Sequence, residues 1–415
     1  MAEVLTTENR EKLATWADVL AVAIAVSLPW STSATAILVG VWFFTLVTVL
    51  RWDELRREIL TPAGGLPVLL VLLGIAGMLW ADVTWLERWR GLDSFLKLLA
   101  IPLLLVQFRR SERATWVFAG YLVSCVALLA VTSIVIAVPP LAATFLRWDN
   151  VIVKNAATQS GEFVTCIFGL LYLMVSAGAQ KRWSWVFACA AIVLAMFANI
   201  FYFSTGRTAL VTTFVLIVLL ALRLSNVKTI AGLLAAAIVL GVIAWMSSPY
   251  LRARIEVTQT EVQKYEKLNE RTSTGERLEF WKKSIDFIRQ APVVGNGTGS
   301  IRTLFEKAAA GQTGAAGVAA ANPHNQTLAI GIQLGILGIA VLWAMWVFHL
   351  HLLMVRGDGL VAWVGLVVVV QNIIGSLFNS HLFDFVQGWV YVVGVGVAAG
   401  AAMKSRSPNS KSEIA

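Results

Sequence analysis

Long apolar runs follow one another along almost the whole chain, and they limit what it can fold into before any single residue is weighed. A helix needs about 20 mostly apolar residues to cross a bilayer, and hydrocarbon leaves no backbone group to water, so each run is read as one helix. About twelve are counted, at approximately 14–30, 33–51, 66–82, 93–108, 114–138, 160–179, 183–203, 207–224, 229–247, 324–355, 360–380 and 383–403. Only Pro29-Trp30-Ser31-Thr32-Ser33, a turn signal, parts the first two. The composition agrees: 58% of residues are hydrophobic and 14% charged, too much apolar surface and too little charge for water-soluble domains. A cytoplasmic enzyme, a nucleic-acid-binding module and a secreted disulfide scaffold are thereby excluded. Cys125, Cys166 and Cys189 lie inside apolar runs and read as small core residues. Charges precede the first run, as in Glu8, Arg10, Glu11 and Lys12, so no cleavable signal is expected there.

The net charge of +9 is sorted by side of the membrane. Arg10 and Lys12, then Arg51, Arg56 and Arg57, Arg109, Arg110 and Arg113, Lys181 and Arg182, Arg223 and Lys228, Arg356, and finally Lys404, Arg406 and Lys411 fall on alternate connections and tails. The opposite short loops hold only Arg88, Arg90, Arg147, Lys154 and Arg207. The positive-inside rule then places both termini in the cytoplasm. The organisation expected is helices one to nine over 1–247, a large exterior loop over 248–323, helices ten to twelve over 324–403 and a cytoplasmic tail over 404–415. In the loop, Ser273-x-x-Glu276 has the spacing of a capping box and opens a helix that runs to Pro292. Its apolar residues recur every three to four positions, so it should lie against the bundle or the membrane surface. The Gly/Ala-rich stretch 311–321 reads as mobile.

Three exterior residues stand out, each with a plainer alternative. Arg207, in the short turn Ser204-Thr205-Gly206-Arg207-Thr208, is either an arginine snorkelling to water or an anion clamp beside a helix N-terminus. Arg277 is either a solvated residue paired with a nearby Glu or, beside Trp281, a phosphate contact near the membrane. His324 opens the helix after the loop, so it either bonds local backbone or accepts a proton at neutral pH. Lys154 and Asn155, before the sixth run, are secondary exterior candidates. No His/Cys cluster is present, so neither a metal nor another cofactor is expected. His381 and Asp384 are close enough on a helix to touch and read as structural. Gly295-Asn296-Gly297-Thr298-Gly299 follows a helix rather than a strand, so it reads as a turn and not as a phosphate loop.

Taken together, these residues resemble the O-antigen ligase (WaaL) family, within the O-antigen ligase and polymerase superfamily of membrane glycosyltransferases. His324-Asn325, nine residues, Gly335, two residues and Gly338 is similar to that family's His-Asn/Ser/Gln-x9-Gly-x-x-Gly/Thr/Tyr signature. Thr205-Gly206-Arg207-Thr208-Ala209-Leu210 resembles its Gly-Arg motif, and Arg277-Leu278-Glu279-Phe280-Trp281 its Arg-x-x-x-Trp element in the large loop. The resemblance implies an all-α, GT-C-like integral membrane protein with about twelve transmembrane helices and one large periplasmic helical loop. It implies transfer of a polysaccharide from undecaprenyl pyrophosphate to a sugar of the lipid A core, on the periplasmic face of the Gram-negative inner membrane. Arg207 and Arg277 would hold the pyrophosphate, His324 would take the proton of the acceptor hydroxyl, and Asn325 would stand beside it as a secondary site residue. Attack from the opposite face would invert the anomeric centre, with no metal required and no nucleic-acid partner.

Other readings compete with this one. An O-antigen polymerase or a protein oligosaccharyltransferase would share the donor and differ in the acceptor. A transporter or flippase for a lipid-linked sugar would carry charges near mid-membrane and discontinuous helices, whereas the runs here are nearly free of charge. A purely structural membrane scaffold would have little use for the large loop and its arginines.

Overall fold

A computed structural model describes residues 6–147, 150–223 and 227–404. Trp148, Arg406, Lys411 and the tail after 404 lie outside the described residues. Among the described residues the chain is all helix, with no strand. In order come α1 (Thr7–Ser27), α2 (Thr32–Val49), α3 (Trp52–Ile59), α4 (Pro62–Gly77), α5 (Trp85–Leu96), α6 (Ala100–Arg110), α7 (Ala114–Ala137), α8 (Pro139–Phe145) and α9 (Ala156–Ala179). There follow α10 (Trp183–Tyr202), α11 (Arg207–Arg223), α12 (Val227–Ser247), the three loop helices α13 (Pro249–Leu268), α14 (Ser273–Gln290) and α15 (Ile301–Ala309), then α16 (Gln326–Arg356), α17 (Gly359–Ser376) and α18 (Phe385–Lys404). A 3-10 turn, Lys97–Leu99, joins α5 to α6.

The protein is an all-α, multi-pass membrane protein. Among the described residues nine helices are long and apolar enough to cross a bilayer, against the twelve or so runs counted in the sequence. The other three runs are helical too and fall short for visible reasons. α1 carries Glu8, Arg10, Glu11, Lys12 and Asp18 within its 21 residues, whereas α4 has 16 residues and α11 has 17. α3 meets α4 at a bend of 84°, the one pair among the described residues that could form a broken span.

Helix starts follow local chemistry. Ser31 caps α2, Thr61 caps α4 with Pro62 in its first turn, and Thr84 and Glu87 form a capping box on α5. The box expected on α14 sits elsewhere: Thr272, not Ser273, is the cap, its Oγ1 accepting from the N–H of Gly275 at 3.1 Å. Glu276 turns instead to Arg271, 3.2 Å away. The core forms where α18 packs against α6 and α17. Small residues permit the approach, because a Cβ on Gly396 would stand 2.5 Å from Leu104 Cβ and one on Gly365 would stand 2.4 Å from Ala398 Cβ.

The long helix anticipated over 324–355 is broken. Gly335 adopts φ 59° and ψ −155°, a conformation open in practice only to glycine. The N–H groups freed by the break are not lost, since Ile336 donates to Pro292 O (2.8 Å) and Leu337 to Val293 O (3.3 Å). Beside it, Gly295-Asn296-Gly297-Thr298-Gly299 acts as a strut, as its turn reading allows. Asn296 and Gly297 donate to the carbonyls of Ile332 and Gln333, while Thr298 N–H bonds Gly77 O at 3.0 Å and its Oγ1 bonds Gly74 O at 2.6 Å. Both glycines of the signature are therefore explained by packing, for a Cβ on Gly338 would lie 2.4 Å from Leu334 Cβ.

A second, smaller core seats the loop on the bundle: Phe280 and Phe287 of α14 meet Phe305 edge-on and pack with Ala329 and Ile332 of α16. The Gly/Ala-rich stretch expected to be mobile is packed. Ala315 is fully buried, its N–H bonds Asn269 O at 3.0 Å, and Lys283 Nζ bonds Ala316 O.

Gly335→Ala combines a disfavoured φ with a Cβ 2.4 Å from the Val293 carbonyl, and we expect it to cost at least about 1–3 kcal/mol. Thermal unfolding of purified protein checks this; an unshifted midpoint would contradict the locked break.

Candidate functional site

Arg207 begins α11 on the face where the loop helices sit, and its guanidinium reaches into them instead of into solvent. Nη1 donates to Thr258 Oγ1 of α13 (2.9 Å) and Thr274 Oγ1 of α14 (3.1 Å), and lies 3.5 Å from Glu261 Oε2. Glu261 in turn accepts from Thr274 N–H at 3.2 Å. One arginine thus ties a bundle helix to two loop helices, which the snorkelling alternative does not describe.

Arg277, on the same loop helix as Thr274, is half-buried and has no hydrogen-bond or ion-pair partner among the described residues. Glu276, the nearby acid that might have neutralised it, is paired with Arg271. Burial lowers the Arg277 pKa, the positive charge of Arg207 lowers it further, and Glu261 opposes both. Trp281 stands four residues on, hence on the same helix face, and its buried indole N–H has no partner either. A cation and a neutral donor with nothing to donate to thus lie side by side. Buried donors are normally paired, so the Trp281 N–H calls for an acceptor, and Arg277 beside it favours an anionic one.

His324 completes the cluster from the turn just before α16. Its backbone is left-handed, φ 53°, held by its N–H bonding Asn322 Oδ1 at 2.9 Å. Its ring stacks on Phe280, with centroids 6.3 Å apart. Nδ1 lies 2.9 Å from Asn379 Oδ1, and Asn379 Nδ2 donates to Asp384 Oδ2 at 2.7 Å. The second bond decides the first: with its NH₂ turned to a carboxylate, Asn379 presents its oxygen to the ring. Nδ1 therefore carries the proton, and Nε2 keeps its lone pair with no partner among the described residues. Burial pushes the imidazole pKa below its ordinary 6.5, the Asn379 bond opposes this, and Arg277 adds to the lowering. At neutral pH the ring is a neutral base.

The turn bearing Asn379 is held firmly. Gln326 Oε1 accepts from the N–H groups of Leu382 and Phe383 (3.0 and 3.2 Å), and Lys97 Nζ donates to the carbonyls of Phe383 and Asp384, both at 3.0 Å.

The structure thus brings Arg207, Arg277 and His324 to one place along α14, where Thr274 bonds Arg207, Phe280 stacks on His324, and Arg277 lies three residues from each. The secondary candidates are committed elsewhere. Asn325 caps α16, accepting from Leu328 N–H at 3.1 Å and donating to Leu377 O at 3.1 Å. Asn155 caps α9 through Thr158 N–H, 2.9 Å. Lys154 turns inward to Glu162 Oε1, 2.9 Å, with both side chains nearly inaccessible. His381 makes no bond to Asp384, whose carboxylate serves Asn379. Sequence reading missed Asn379 and the unpaired indole N–H of Trp281: an asparagine 55 positions from its histidine leaves no local signal. Among the described residues no three His, Cys, Asp or Glu side chains converge.

Residues 192–343 match the model of the O-antigen ligase family. The matched stretch contains Arg207, Arg277, His324, Gly335 and Gly338, and it ends before Asn379 and Asp384. No curated protein matches the chain. The match supports an activity of the O-antigen ligase or polymerase kind, from a family of membrane enzymes of glycosyltransferase type.

Ring-nitrogen NMR of histidine-labelled protein should show the His324 proton on Nδ1 and a titration midpoint below 6.5. In Asn379→Ala the tautomer preference should weaken; an unchanged Nδ1 signal would break the assignment.

Proposed function

We propose that the protein is an O-antigen ligase that transfers polysaccharide from undecaprenyl pyrophosphate to a sugar hydroxyl of the lipid A core. The observation that carries this is Arg277, an unpaired, half-buried cation set between a second guanidinium and a neutral imidazole. Such a place suits an anion of several oxygens next to a group about to lose a proton. The setting suits a lipid-linked anion in particular. Inward of Arg207, α9, α10, α11 and α12 enclose an apolar cavity of about 740 Å³, with walls that include Phe201, Leu210, Phe214 and Leu233. A polyprenyl tail would lie there with its pyrophosphate at the arginines.

The chemistry balances without further groups. The acceptor oxygen attacks the anomeric carbon, the bond from that carbon to the pyrophosphate oxygen breaks, and the electron pair leaves with the pyrophosphate. Arg207 and Arg277 stabilise the charge as it grows. Nε2 of His324 takes the hydroxyl proton and passes it to the departing pyrophosphate or to water, a contribution of roughly 10²–10⁴ in rate. Direct displacement inverts the anomeric centre. The guanidinium groups supply the charge neutralisation, so the reaction proceeds without a metal. If α1, α4 and α11 also cross, the charge sorting of the loops puts both termini in the cytoplasm and the site on the opposite face, which the family resemblance makes the periplasm of a Gram-negative inner membrane.

The test is complementation of a strain lacking its own ligase. Wild type should restore long-chain lipopolysaccharide, while His324→Ala, Arg207→Ala and Arg277→Ala, inserted at normal levels, should not. In vitro, transfer by the purified protein should survive EDTA, and its rate should fall only below pH 6.5, as His324 gains its proton. Normal banding from His324→Ala would remove the base. Chain lengthening of the donor with no lipid A-core present would assign a polymerase instead.

A further inference from the structure

A second cavity lies on the other side of the bundle from the one beneath Arg207. α11 packs on α17, α17 on α18 and α18 on α6, so α17 and α18 stand between the two. The second measures about 560 Å³, is walled by α2, α6 and α18, and is closed above by the bend between α5 and α6. Its size is within the roughly 300–1,000 Å³ usual for ligand sites. Val39, Phe43, Leu103 and Trp389 make its wall apolar, while Asp93, Ser94 and Lys97 make one flank polar. It opens to the lipid, since Phe43, Leu96 and Leu99 are exposed.

Three features say what fits it. The polar flank is the face of α5 on which Arg90, Asp93 and Lys97 follow at helical spacing, with exposed Trp85, Leu86 and Trp89 one turn earlier. Exposed tryptophans and arginines on one helix are the chemistry of the membrane interface facing an anionic head group; Arg88 lies over the Trp85 ring at 4.6 Å, while exposed Arg90 has no hydrogen-bond or ion-pair partner among the described residues. The flank is also continuous with the site described above: Lys97 Nζ bonds Asp384 O (3.0 Å), Asp384 Oδ2 bonds Asn379 (2.7 Å), and Asn379 bonds His324 (2.9 Å). Phe383 belongs to both, lining the groove and packing against the core beneath the loop.

We propose that this groove seats the lipid of the acceptor: an acyl chain of a phosphorylated glycolipid lies between α2, α6 and α18, a phosphate meets Arg90, and the sugar reaches past Asp384 to His324. The inference rests on the transferase reading and adds to it that donor and acceptor enter from opposite sides, meeting only at the loop. Each lipid then has its own cavity and neither must leave before the other binds.

Two glycines make the test specific. A Cβ on Gly40, in the wall of this groove, meets nothing within 4 Å, and the same holds for Gly232 in the cavity beneath Arg207. Gly40→Trp and Gly232→Trp therefore each put a bulky ring into one cavity from a position where the first side-chain carbon meets open space. In vesicles of zwitterionic phospholipid, with undecaprenyl-pyrophosphate oligosaccharide and lipid A-core as substrates, Gly40→Trp should raise KM for lipid A-core about tenfold or more and leave the donor KM unchanged. Gly232→Trp should do the reverse, and Arg90→Glu should follow Gly40→Trp. A second measurement stands apart from turnover. A photoreactive benzoylphenylalanine in place of Phe43 should cross-link labelled lipid A-core, the product should vanish with Gly40→Trp, and undecaprenyl pyrophosphate should not compete. An unchanged acceptor KM in Gly40→Trp, or cross-linking of the donor and not of lipid A-core, overturns the groove assignment. Absence of transfer by the wild type, with the cross-link intact, defeats the transferase reading and leaves the groove as a glycolipid site.

Discussion

The docking of the loop onto a deliberately interrupted helix is the constraint on which the rest depends. A continuous α16 would leave Pro292 and Val293 without the N–H groups of Ile336 and Leu337, and the strut from Gly295 to Gly299 would have no carbonyls at Ile332 and Gln333 to bond. That strut also grips the end of α4 through Thr298. With one end of the loop fixed to α4 and α16, and Arg207 fastening α13 and α14 to α11, the position of α14 is over-determined. Only such a frame can hold Arg277 half-buried near a second guanidinium, an arrangement that unbound charges would otherwise relax.

In the proposed reading, this electrostatic tension is also what would make the cluster selective for an anion. Two neighbouring cations and an unpaired indole donor together offer what one polyanionic ligand would need, while burial, with Arg277 adding to it, keeps a nearby imidazole neutral. Asn379, held by Asp384, fixes which nitrogen of that imidazole is available. Base strength, tautomer and anion affinity therefore come from one arrangement and not from three separate devices. Two apolar cavities flank α17 and α18, and in the proposed reading each takes the lipid part of one membrane-bound substrate.

Much of this was legible beforehand where it depended on local pattern. Apolar runs become helices because hydrocarbon permits little else, and the breaks between them carry their own caps, as at Ser31, Thr61 and Asn155. Arg207, Arg277 and His324 could be singled out because each interrupts an expectation of its surroundings. Where the reading went astray, a tertiary partner had overridden the local signal. The Gly/Ala-rich stretch looks mobile until Asn269 and Lys283 bond its backbone. Lys154 looks exposed until Glu162, buried in α9, takes its charge.

The sequence by itself determined that the chain is a helical membrane protein, where most helices lie and which few residues could carry chemistry, because these follow from burial preference and spacing along the chain. Only the tertiary structure decided that Gly335 is a break rather than a turn of helix, that Glu276 is spent on Arg271 so that Arg277 is not neutralised, and that Asn379 sets the proton on His324. Those are contacts between residues tens to hundreds of positions apart or choices among competing partners, and nothing in a local pattern ranks one partner over another until the backbone brings them within hydrogen-bond reach.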